Sequence, residues 1–305
     1  MCPGRRRSEA KPLRRRTPGV RERLILDPAE RKEALLGVIG AAKRRVILSL
    51  FRCDDFSVLD ALAAALERGC EVEAVLTKRA KGGKKRLKKL WSALEEMGAV
   101  VTRFADPVVK YHAKYLVADD AIAIITTLNP TKKCFTRTWD AVLLTHDPAV
   151  VKGLLTLFKS DAAGVPLPSR RPLSRRLIVG PERSRSEFRA LICSARHSIR
   201  ILDHKLSDPD LVGLLRERRD DGITVTVLGR QPTRGIEPHG KLMIIDETRA
   251  VLGSTALSTL SLDFRREVSV VVHDPQLVKQ LNVSYQELAA KAGVAATCLP
   301  GDRTA

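Results

Sequence analysis

A charged motif stands twice in this chain, and the second copy constrains the fold more than any other feature. Residues 111–130 read YHAKYLVADDAIAIITTLNP, and residues 238–258 read PHGKLMIIDETRAVLGSTALS. The offset is 239 − 112 = 127 residues, and it relates His112 to His239, Lys114 to Lys241 and Asp119 to Asp246. A repeat of this length predicts two similar structural units in one chain.

The repeat continues upstream at a longer spacing. VILSLF at 46–51 aligns with IRILDH at 199–204, which is 153 residues apart. The difference between 153 and 127 is an insertion of 26 residues in the first half, between about residues 78 and 110. Its basic start is followed by apolar residues at helical spacing, so we expect an amphipathic helix that buries Leu87, Leu90, Trp91, Leu94 and Met97.

Helix and strand patterns alternate in both halves. Apolar runs such as YLVA and AIAII predict buried strands, whereas SVLDALAAALERG and DPDLVGLLRERRDDG have helical periodicity. The fold class is therefore α/β. We expect two similar α/β sandwich domains from an internal duplication, each a mixed, mostly parallel sheet flanked by helices, related by a pseudo-twofold axis.

Charge and composition suggest the boundaries of these domains. Residues 1–23 carry nine basic and two acidic residues, which predicts a disordered basic arm. We expect an N-terminal domain at 24–160 and a C-terminal domain at 177–305. The segment 161–176 between them is rich in Pro, Ser and Arg, as an exposed linker is.

Cysteines and apolar runs bear on the location of the protein. The six cysteines form no CxxC pair and no cluster with histidine at zinc spacing, so we expect a reducing compartment. No run has the length needed to cross a bilayer, and no apolar leader follows the first arginines. We therefore expect a cytoplasmic protein, either soluble or peripheral at the membrane.

The repeated histidines and lysines suit phosphodiester chemistry. One histidine can attack phosphorus while its partner protonates the leaving oxygen, and the lysines can neutralise the phosphoryl oxygens. No cofactor and no metal is needed, and the carboxylate cluster of a magnesium or calcium site is missing. Each half supplies one histidine and one lysine, so a monomer whose halves face each other would form one site.

Later carboxylates have a supporting task in this chemistry. Asp140 and Glu267 each follow their histidine by 28 residues, and a carboxylate can orient an imidazole through its second nitrogen. His204, in ILDHKLSD, follows a predicted strand and is a further candidate to line the site.

These residues resemble the phospholipase D superfamily. Its HxKxxxxD signature is present twice, as HAKYLVAD and HGKLMIID, and the resemblance covers roughly residues 30–290. The GSxN tetrapeptide that follows the signature in that superfamily is divided between the copies. The first copy keeps Asn129 but lacks Gly-Ser, and the second keeps Ser254 but has Ala256 in place of Asn.

The resemblance implies a metal-independent phosphodiesterase that works through a phosphohistidine intermediate. It implies a catalytic set of His112 as nucleophile, His239 as acid and base, and Lys114 and Lys241 on the phosphate. It also implies supporting roles, with Asn129 and Ser254 assisting at the phosphate, Asp119 and Asp246 anchoring turns, and Asp140 and Glu267 orienting the imidazoles.

Substrate class stays open between phospholipid and nucleic acid. The net charge of +19 predicts a polyanionic partner, which is either an anionic phospholipid surface or a phosphate backbone. Two motifs in one chain resemble phospholipase D and cardiolipin-synthase-like proteins, and an aromatic content of 4% disfavours stacking on bases. We predict hydrolysis or transfer of a phosphatidyl group. The alternatives are a nuclease and a non-catalytic polyanion-binding module.

Overall fold

A computed structural model describes residues 21–78, 83–167, 172–229, 237–292 and 299. Residues 1–20 of the expected basic arm and the middle of the expected linker thus lie outside the described residues. Within the parts of the chain that are described, no helix is both long and apolar enough to span a membrane.

The first half contains nine strands and five helices among its described residues. In chain order these are β1 (Glu22–Ile25), α1 (Pro28–Ala41), β2 (Arg45–Leu50), α2 (Phe56–Glu67), β3 (Glu71–Thr77), α3 (Lys84–Glu96), β4 (Val100–Phe104), β5 (Lys110–Tyr111), β6 (Tyr115–Ala118), β7 (Ile122–Thr126), α4 (Lys132–Thr136), β8 (Thr138–Trp139), β9 (Val142–Thr145) and α5 (Pro148–Ala163).

The second half repeats much of this order. Its described elements are β10 (Leu177–Gly180), α6 (Ser184–Ser194), β11 (Ser198–Leu202), α7 (Pro209–Asp220), β12 (Thr224–Leu228), β13 (Glu237–Pro238), β14 (Lys241–Ile245), β15 (Arg249–Gly253), α8 (Thr259–Phe264), β16 (Arg265–Val272) and α9 (Pro275–Ala292).

Each half builds one mixed sheet. The first sheet has the order β1-β9-β7-β6-β2-β3-β4, parallel between β2, β3 and β4 and antiparallel in its other pairs. The second has the order β10-β16-β15-β14-β11-β12, with β11 and β12 parallel and the other pairs antiparallel. Helices flank both sheets, which confirms the predicted α/β class with mixed sheets. Within each sheet, however, antiparallel pairs outnumber parallel ones, where mostly parallel pairing was expected, because hairpins connect several of the strands.

The duplication is also visible in the backbone. Gly69 and Gly222, which end the turns after α2 and α7, have left-handed φ angles of 84° and 87°. Asp119 and Asp246 have φ angles of 51° and 50° in the turns after β6 and β14. Corresponding residues of the repeat thus share unusual conformations that side chains other than glycine seldom adopt.

Aspartates fix where several helices begin. Asp27, Asp55 and Asp147 cap α1, α2 and α5 by accepting a hydrogen bond from a backbone N–H in the first turn. Asp208 does the same for α7. Proline is the first residue of α1, α5 and α7, where its missing N–H is harmless and its fixed φ suits the helix.

Three apolar cores organise these layers. One lies on the outer face of the first sheet under α1 to α4, and another lies on the outer face of the second sheet under α6 to α8. The third contains residues of both sheets together with α5 and α9, so the halves are joined by a shared core. The functional side chains therefore lie on two sheets that pack against one another.

Two short strands also link the halves. β5 pairs with Arg265 and Arg266 at the start of β16, and β8 pairs with β13. Each pair joins the residues just before a repeated histidine to residues next to the other half's later carboxylate, which is Glu267 within β16 or Asp140 directly after β8. The backbone therefore brings the two motifs together.

Three expected boundaries need correction. Glu22 and Arg23, placed in the basic arm, belong to β1, because they pair with β9. The first three residues of the expected linker continue α5, which ends at Ala163 because Gly164 adopts the left-handed conformation there. The insertion contains the expected helix α3 but also the edge strand β4, which adds to β3.

Candidate active site

Both repeated histidines stand between a short linking strand and a buried strand. His112 lies between β5 and β6, and its backbone N–H donates to the carbonyl of Arg266, 2.9 Å away. Next to His239, the N–H of Gly240 donates to the carbonyl of Trp139 at 2.8 Å. Each histidine is thereby held by backbone from the opposite half.

The imidazole of His112 is paired with a carboxylate of the second half. Its Nδ1 lies 2.9 Å from Oε2 of Glu267, whose side chain is fully buried. An ionised carboxylate only accepts, so the Nδ1–H donates and the lone pair is left on Nε2. His112 keeps 16% of its side chain exposed, so it is open to a ligand on one side only.

His239 has the reciprocal partner. Its Nδ1 lies 2.9 Å from Oδ1 and 3.2 Å from Oδ2 of Asp140, which belongs to the first half and is fully buried. The His239 side chain is 33% exposed, twice as much as that of His112. The two halves therefore exchange carboxylates, and neither half alone contains a complete His-carboxylate pair.

Hydroxyl groups hold the two carboxylates in place. Thr127 and Thr138 donate to the two oxygens of Asp140 at 2.7 and 2.5 Å, and Ser261 donates to Glu267 at 2.8 Å. Burial, the largest single effect, raises the pKa of both acids. The pKa of Asp140 is nevertheless held below its usual value by His239 and the two threonines, and that of Glu267 by His112, Lys114 and Ser254. Both groups are therefore ionised at neutral pH.

The two lysines lie beside the histidines and are almost completely buried. Lys114 Nζ is 2.9 Å from the carbonyl oxygen of His112 and 3.4 Å from its Nε2, and Lys241 Nζ donates to the carbonyl of His239. Burial, together with the charges of Lys241 and Lys205 and against the opposing effect of Glu267, lowers the pKa of Lys114 to about 7. The charge of Lys241 in one half thus acts on Lys114 in the other half.

Burial also sets the protonation of His112. It lowers the pKa of this imidazole well below the usual value, an effect that the charge of Lys114 adds to and that Glu267 opposes. His112 is therefore neutral at physiological pH. A neutral imidazole with its lone pair on Nε2 is the form that acts as a nucleophile.

A different aromatic ring lies beside each histidine. Phe51 packs against His112 with ring centroids 4.6 Å apart, and His204 stacks on His239 with centroids 6.3 Å apart. The offset of 153 makes Phe51 and His204 equivalent, so the two sides of the site differ here. Nδ1 of His204 also lies 3.4 Å from Nζ of Lys241, which places this candidate residue in the site.

The residues of the divided tetrapeptide have separate surroundings. The Ser254 hydroxyl contacts the backbone of Val268 and hydrogen-bonds to Glu267, so it supports a carboxylate, as the equivalent Thr127 does. Asn129 is buried, and its Oδ1 has no hydrogen-bond partner among the described residues. An unpaired carbonyl oxygen can accept a hydrogen bond from a donor group of a ligand, whereas a phosphate oxygen can be bound only by the amide N–H₂.

Asp119 and Asp246 lie at the opposite strand ends from the histidines, about 20 Å away along extended chain. Asp119 accepts hydrogen bonds from the backbone N–H groups of residues 43–45, and Asp246 accepts from those of residues 196–198. The structure does not bring these two predicted supporting residues into the site. They bind the turn that precedes the neighbouring strand.

One group of side chains could offer ligands to a metal. The ligand atoms of Cys134, Asp140 and His239 lie within 4.8 Å of one another. Burial raises the pKa of the Cys134 thiol, which disfavours the thiolate that a metal binds, and Asp140 is already bonded to two threonines and His239. This group therefore fits an imidazole-orienting role better than a metal site.

Four further residues border the site and were not predicted as site residues. Phe51 and Arg52 follow β2 and align with His204 and Lys205, which follow β11. The upstream part of the repeat could therefore have pointed to them. Arg265 contacts Glu267 at 3.9 Å and lowers the pKa of His112. Trp139 packs so closely against Gly240 that a Cβ there would lie 2.7 Å from the ring. This explains why the second motif has Gly240 where the first has Ala113.

Comparison with known proteins agrees with this arrangement. The family described as cardiolipin synthase, phospholipase D-like domain, matches residues 35–162 and 231–289. No curated protein sequence matches.

Three solved structures are similar to the chain. Polyphosphate kinase from Porphyromonas gingivalis has 19% identity and a TM-score of 0.70 over 87% of this chain and 46% of its own, so the chain spans about half the length of that enzyme. Phosphatidylserine synthase from Haemophilus influenzae has 11% identity and a TM-score of 0.66 over 88% and 85%. Nuc from Salmonella typhimurium, a phospholipase D family member, has 18% identity and a TM-score of 0.43 over 47% and 94%.

The family match covers more than half of the chain, and both structures with the higher TM-scores extend over both halves. The predicted resemblance is confirmed, together with the fold. With its repeated His-Lys motifs meeting between two mixed sheets, the chain belongs to the cardiolipin synthase, phospholipase D-like family of the phospholipase D superfamily, whose members are phosphodiesterases and phosphotransferases.

Proposed function

We propose that the chain is a metal-independent phosphodiesterase that hydrolyses or transfers a phosphatidyl group through a phosphohistidine. One observation carries this proposal: two imidazoles, each oriented by a buried carboxylate of the opposite half, lie beside two buried lysines. This set contains a nucleophile, an acid and the cations that phosphoryl transfer needs.

His112 is the nucleophile of the first step. Its Nε2 lone pair attacks phosphorus, and the Nδ1–H remains bonded to Glu267, which stabilises the positive charge that develops on the ring. A P–N bond forms as the bond between phosphorus and the leaving oxygen breaks. The exposure of His112, which is lower than that of His239, supports this assignment, and the lowered pKa of His112 keeps its ring neutral.

His239 is the acid and then the base. Its Nε2–H protonates the leaving oxygen, with Asp140 on Nδ1 holding the ring in position. In the second step the same nitrogen takes a proton from water or an alcohol, whose oxygen attacks phosphorus and breaks the P–N bond. Lys114 and Lys241 neutralise the non-bridging oxygens in both steps, and the amide N–H₂ of Asn129 is the part of that side chain that can donate to a phosphate oxygen.

The test is turnover in EDTA of phosphatidylglycerol vesicles and of labelled single- and double-stranded DNA. Lipid turnover that is lost in His112→Ala and His239→Ala, but retained in the exposed control His146→Ala, supports the proposal. The phosphoenzyme trapped by acid-free quenching should be missing in His112→Ala. DNA cleavage with the same pattern would make the chain a nuclease, and no turnover would leave a polyanion-binding module.

The predicted location stays a prediction. A cytoplasmic chain that is peripheral at the membrane suits this substrate, and the proposed monomer needs no second copy because both halves of the site come from one chain.

A further inference from the structure

A groove opens beside His112 on the first half of the chain. It has an empty volume of about 770 Å³, counted out to its open side. Its wall is apolar along Phe51, Leu87 and Leu90. It is basic on balance, because Arg52, Arg86 and Lys133 outnumber the acidic Asp54. A groove with both characters suits a ligand that carries apolar groups next to a negative charge.

Phe51 connects the groove to the candidate active site. One face of the ring packs against His112, with centroids 4.6 Å apart, and Lys114 Nζ lies 5.9 Å from the ring centroid. The same side chain lines the groove. A substituent on a phosphate held by His112 and Lys114 can therefore enter the groove by passing this one ring.

The helix that forms one wall of the groove has two distinct faces. Leu87, Leu90 and Leu94 of α3 are buried against the sheet. Its other face is exposed and basic. The cations of this face, which form no ion pair with the described residues, are Lys84, Lys85, Arg86, Lys88 and Lys89. Five cations within two turns of helix repel one another unless they meet an anionic surface.

An exposed phenylalanine stands at the same end of the sheet. Helices α2 and α3 follow the parallel strands β2 and β3. Both helices therefore begin at the end of the sheet where β2 leads into Phe51. Phe56 is the first residue of α2 and is 79% exposed. An apolar ring next to a basic helix is the combination that binds the interface of an anionic bilayer.

We infer that the groove receives the glyceride part of a phospholipid while the basic face of α3 and Phe56 rest on an anionic membrane surface. This inference rests on the proposed function and extends it to the substrate's position. In an in-line displacement the leaving group departs opposite the nucleophile. A groove on the His112 side therefore holds the substituent that stays on phosphorus, and the head-group alcohol leaves on the His239 side.

Among the residues of the second half that the structure describes, no groove has the same construction. The insertion that supplies α3 is missing there, and β12 is followed after residues 229–236 by β13. The apolar wall and the basic helix consequently belong to one side of the pseudo-twofold axis. A substrate with unlike ends, such as a phospholipid, matches a site with unlike sides.

The experiment compares three measurements on each variant. Hydrolysis of bis(p-nitrophenyl) phosphate reports on the catalytic groups alone, sedimentation with phosphatidylglycerol or phosphatidylcholine vesicles reports on membrane binding, and vesicle turnover reports on both. The test variant changes Lys84, Lys85, Lys88 and Lys89 to Gln. The matched control changes Lys152, Lys159, Lys279 and Lys291 to Gln, which are exposed residues of α5 and α9 and remove the same charge.

We expect the α3 variant to bind phosphatidylglycerol vesicles several hundredfold more weakly, because each of the four lysines near an anionic surface contributes about fivefold to partitioning. The rate of vesicle turnover by this variant, divided by its rate of soluble-diester turnover, should fall together with its vesicle binding. The control variant should bind as the unchanged protein does. Phe56→Ser should also weaken vesicle binding, and phosphatidylcholine vesicles should bind poorly in every case.

The groove itself is tested by Arg86→Trp, which places a large ring at an exposed position of its wall. We expect KM for a dispersed short-chain phosphatidylglycerol to rise at least tenfold without a matching change for the soluble diester.

Unchanged vesicle binding in the α3 variant, or an equal loss in the control, would overturn the inference. DNA cleavage that depends on α3 while vesicle turnover does not would also overturn it, in favour of a nucleic-acid surface. Failure of the proposed function has a different signature, because the soluble diester would then not be hydrolysed although vesicles still bind.

Discussion

Glu267 accepts a hydrogen bond from His112, a residue of the other half that precedes it by 155 positions. Asp140 and His239 form the reciprocal bond across the same boundary. The site is therefore assembled only when the two halves pack together through their shared core and linking strands.

Replacing Glu267 with Gln should lower kcat by about 10²–10⁴, because an amide can no longer stabilise the positive charge on His112. Steady-state kinetics on the soluble diester measures this change. Glu30→Gln, which removes an exposed carboxylate paired with Arg23, should have no effect. A kcat within threefold of the unchanged protein would show that Glu267 does not assist His112.

Asp140→Asn should have an effect that depends on the leaving group. Asp140 orients the proposed acid, and p-nitrophenolate leaves without protonation whereas an alkoxide requires it. We expect the rate with an alkyl diester to fall by about 10²-fold or more. The rate of the initial burst of p-nitrophenol should fall much less. Equal losses with both leaving groups would instead indicate that His239 is the nucleophile.

Lys114→Met should stabilise the fold while abolishing activity. Burial lowers the pKa of Lys114 from 10.5 to about 7, so between these pH values the unfolded chain binds a proton that the folded chain does not. Removing the buried ammonium should raise the free energy of unfolding by about 1–4 kcal/mol at neutral pH.

Urea unfolding over a range of pH measures the effect of Lys114→Met. The unchanged protein gains stability relative to the variant as the pH rises from about 7 to 10.5, so the advantage of the variant should shrink over this window. An advantage that is constant across the window would mean that the folded and unfolded states bind this proton equally.

His204→Phe should reduce kcat/KM about two- to tenfold. Phenylalanine keeps a ring against His239 but removes the nitrogen that faces Lys241 at 3.4 Å, and a hydrogen bond contributes about 0.5–1.5 kcal/mol. The exposed His146→Phe is the control. No change in kcat/KM would show that the ring of His204 matters only for packing.

Asp119→Ala should lower stability and leave kcat unchanged, since Asp119 binds three backbone N–H groups far from the site. We expect a loss of about 2 kcal/mol in urea unfolding at neutral pH. The pKa of Asp119 is lowered, so its contribution is present above pH 3.8 and is lost as the pH falls through the lowered value.

A control for Asp119→Ala is the adjacent Asp120→Ala, which removes only ion pairs with exposed or half-buried arginines. That variant should lose much less stability. A fall in kcat for Asp119→Ala, with stability retained, would contradict the structural role.

The repeat made the fold class predictable, because two copies of HxK with the same flanking apolar runs require two similar units. It did not reveal which carboxylate serves which histidine, since sequence spacing is equal within each half and only the packing of the halves selects the partner. The edge strand β4 was missed because VVTRF is short and Val100 is exposed. Phe51 was missed although the repeat aligns it with the candidate His204, because a phenylalanine has no acid, base or nucleophilic group that would mark it as a site residue.

The unlike rings of Phe51 and His204 have a consequence for how such a site evolves. In a homodimer, any substitution near a twofold axis appears on both sides, so a change that helps one histidine is imposed on the other. A fused chain is free of that constraint. Gene fusion here would have allowed the His112 side to gain an apolar wall while the His239 side gained a titratable ring, a specialisation that no symmetric ancestor could encode.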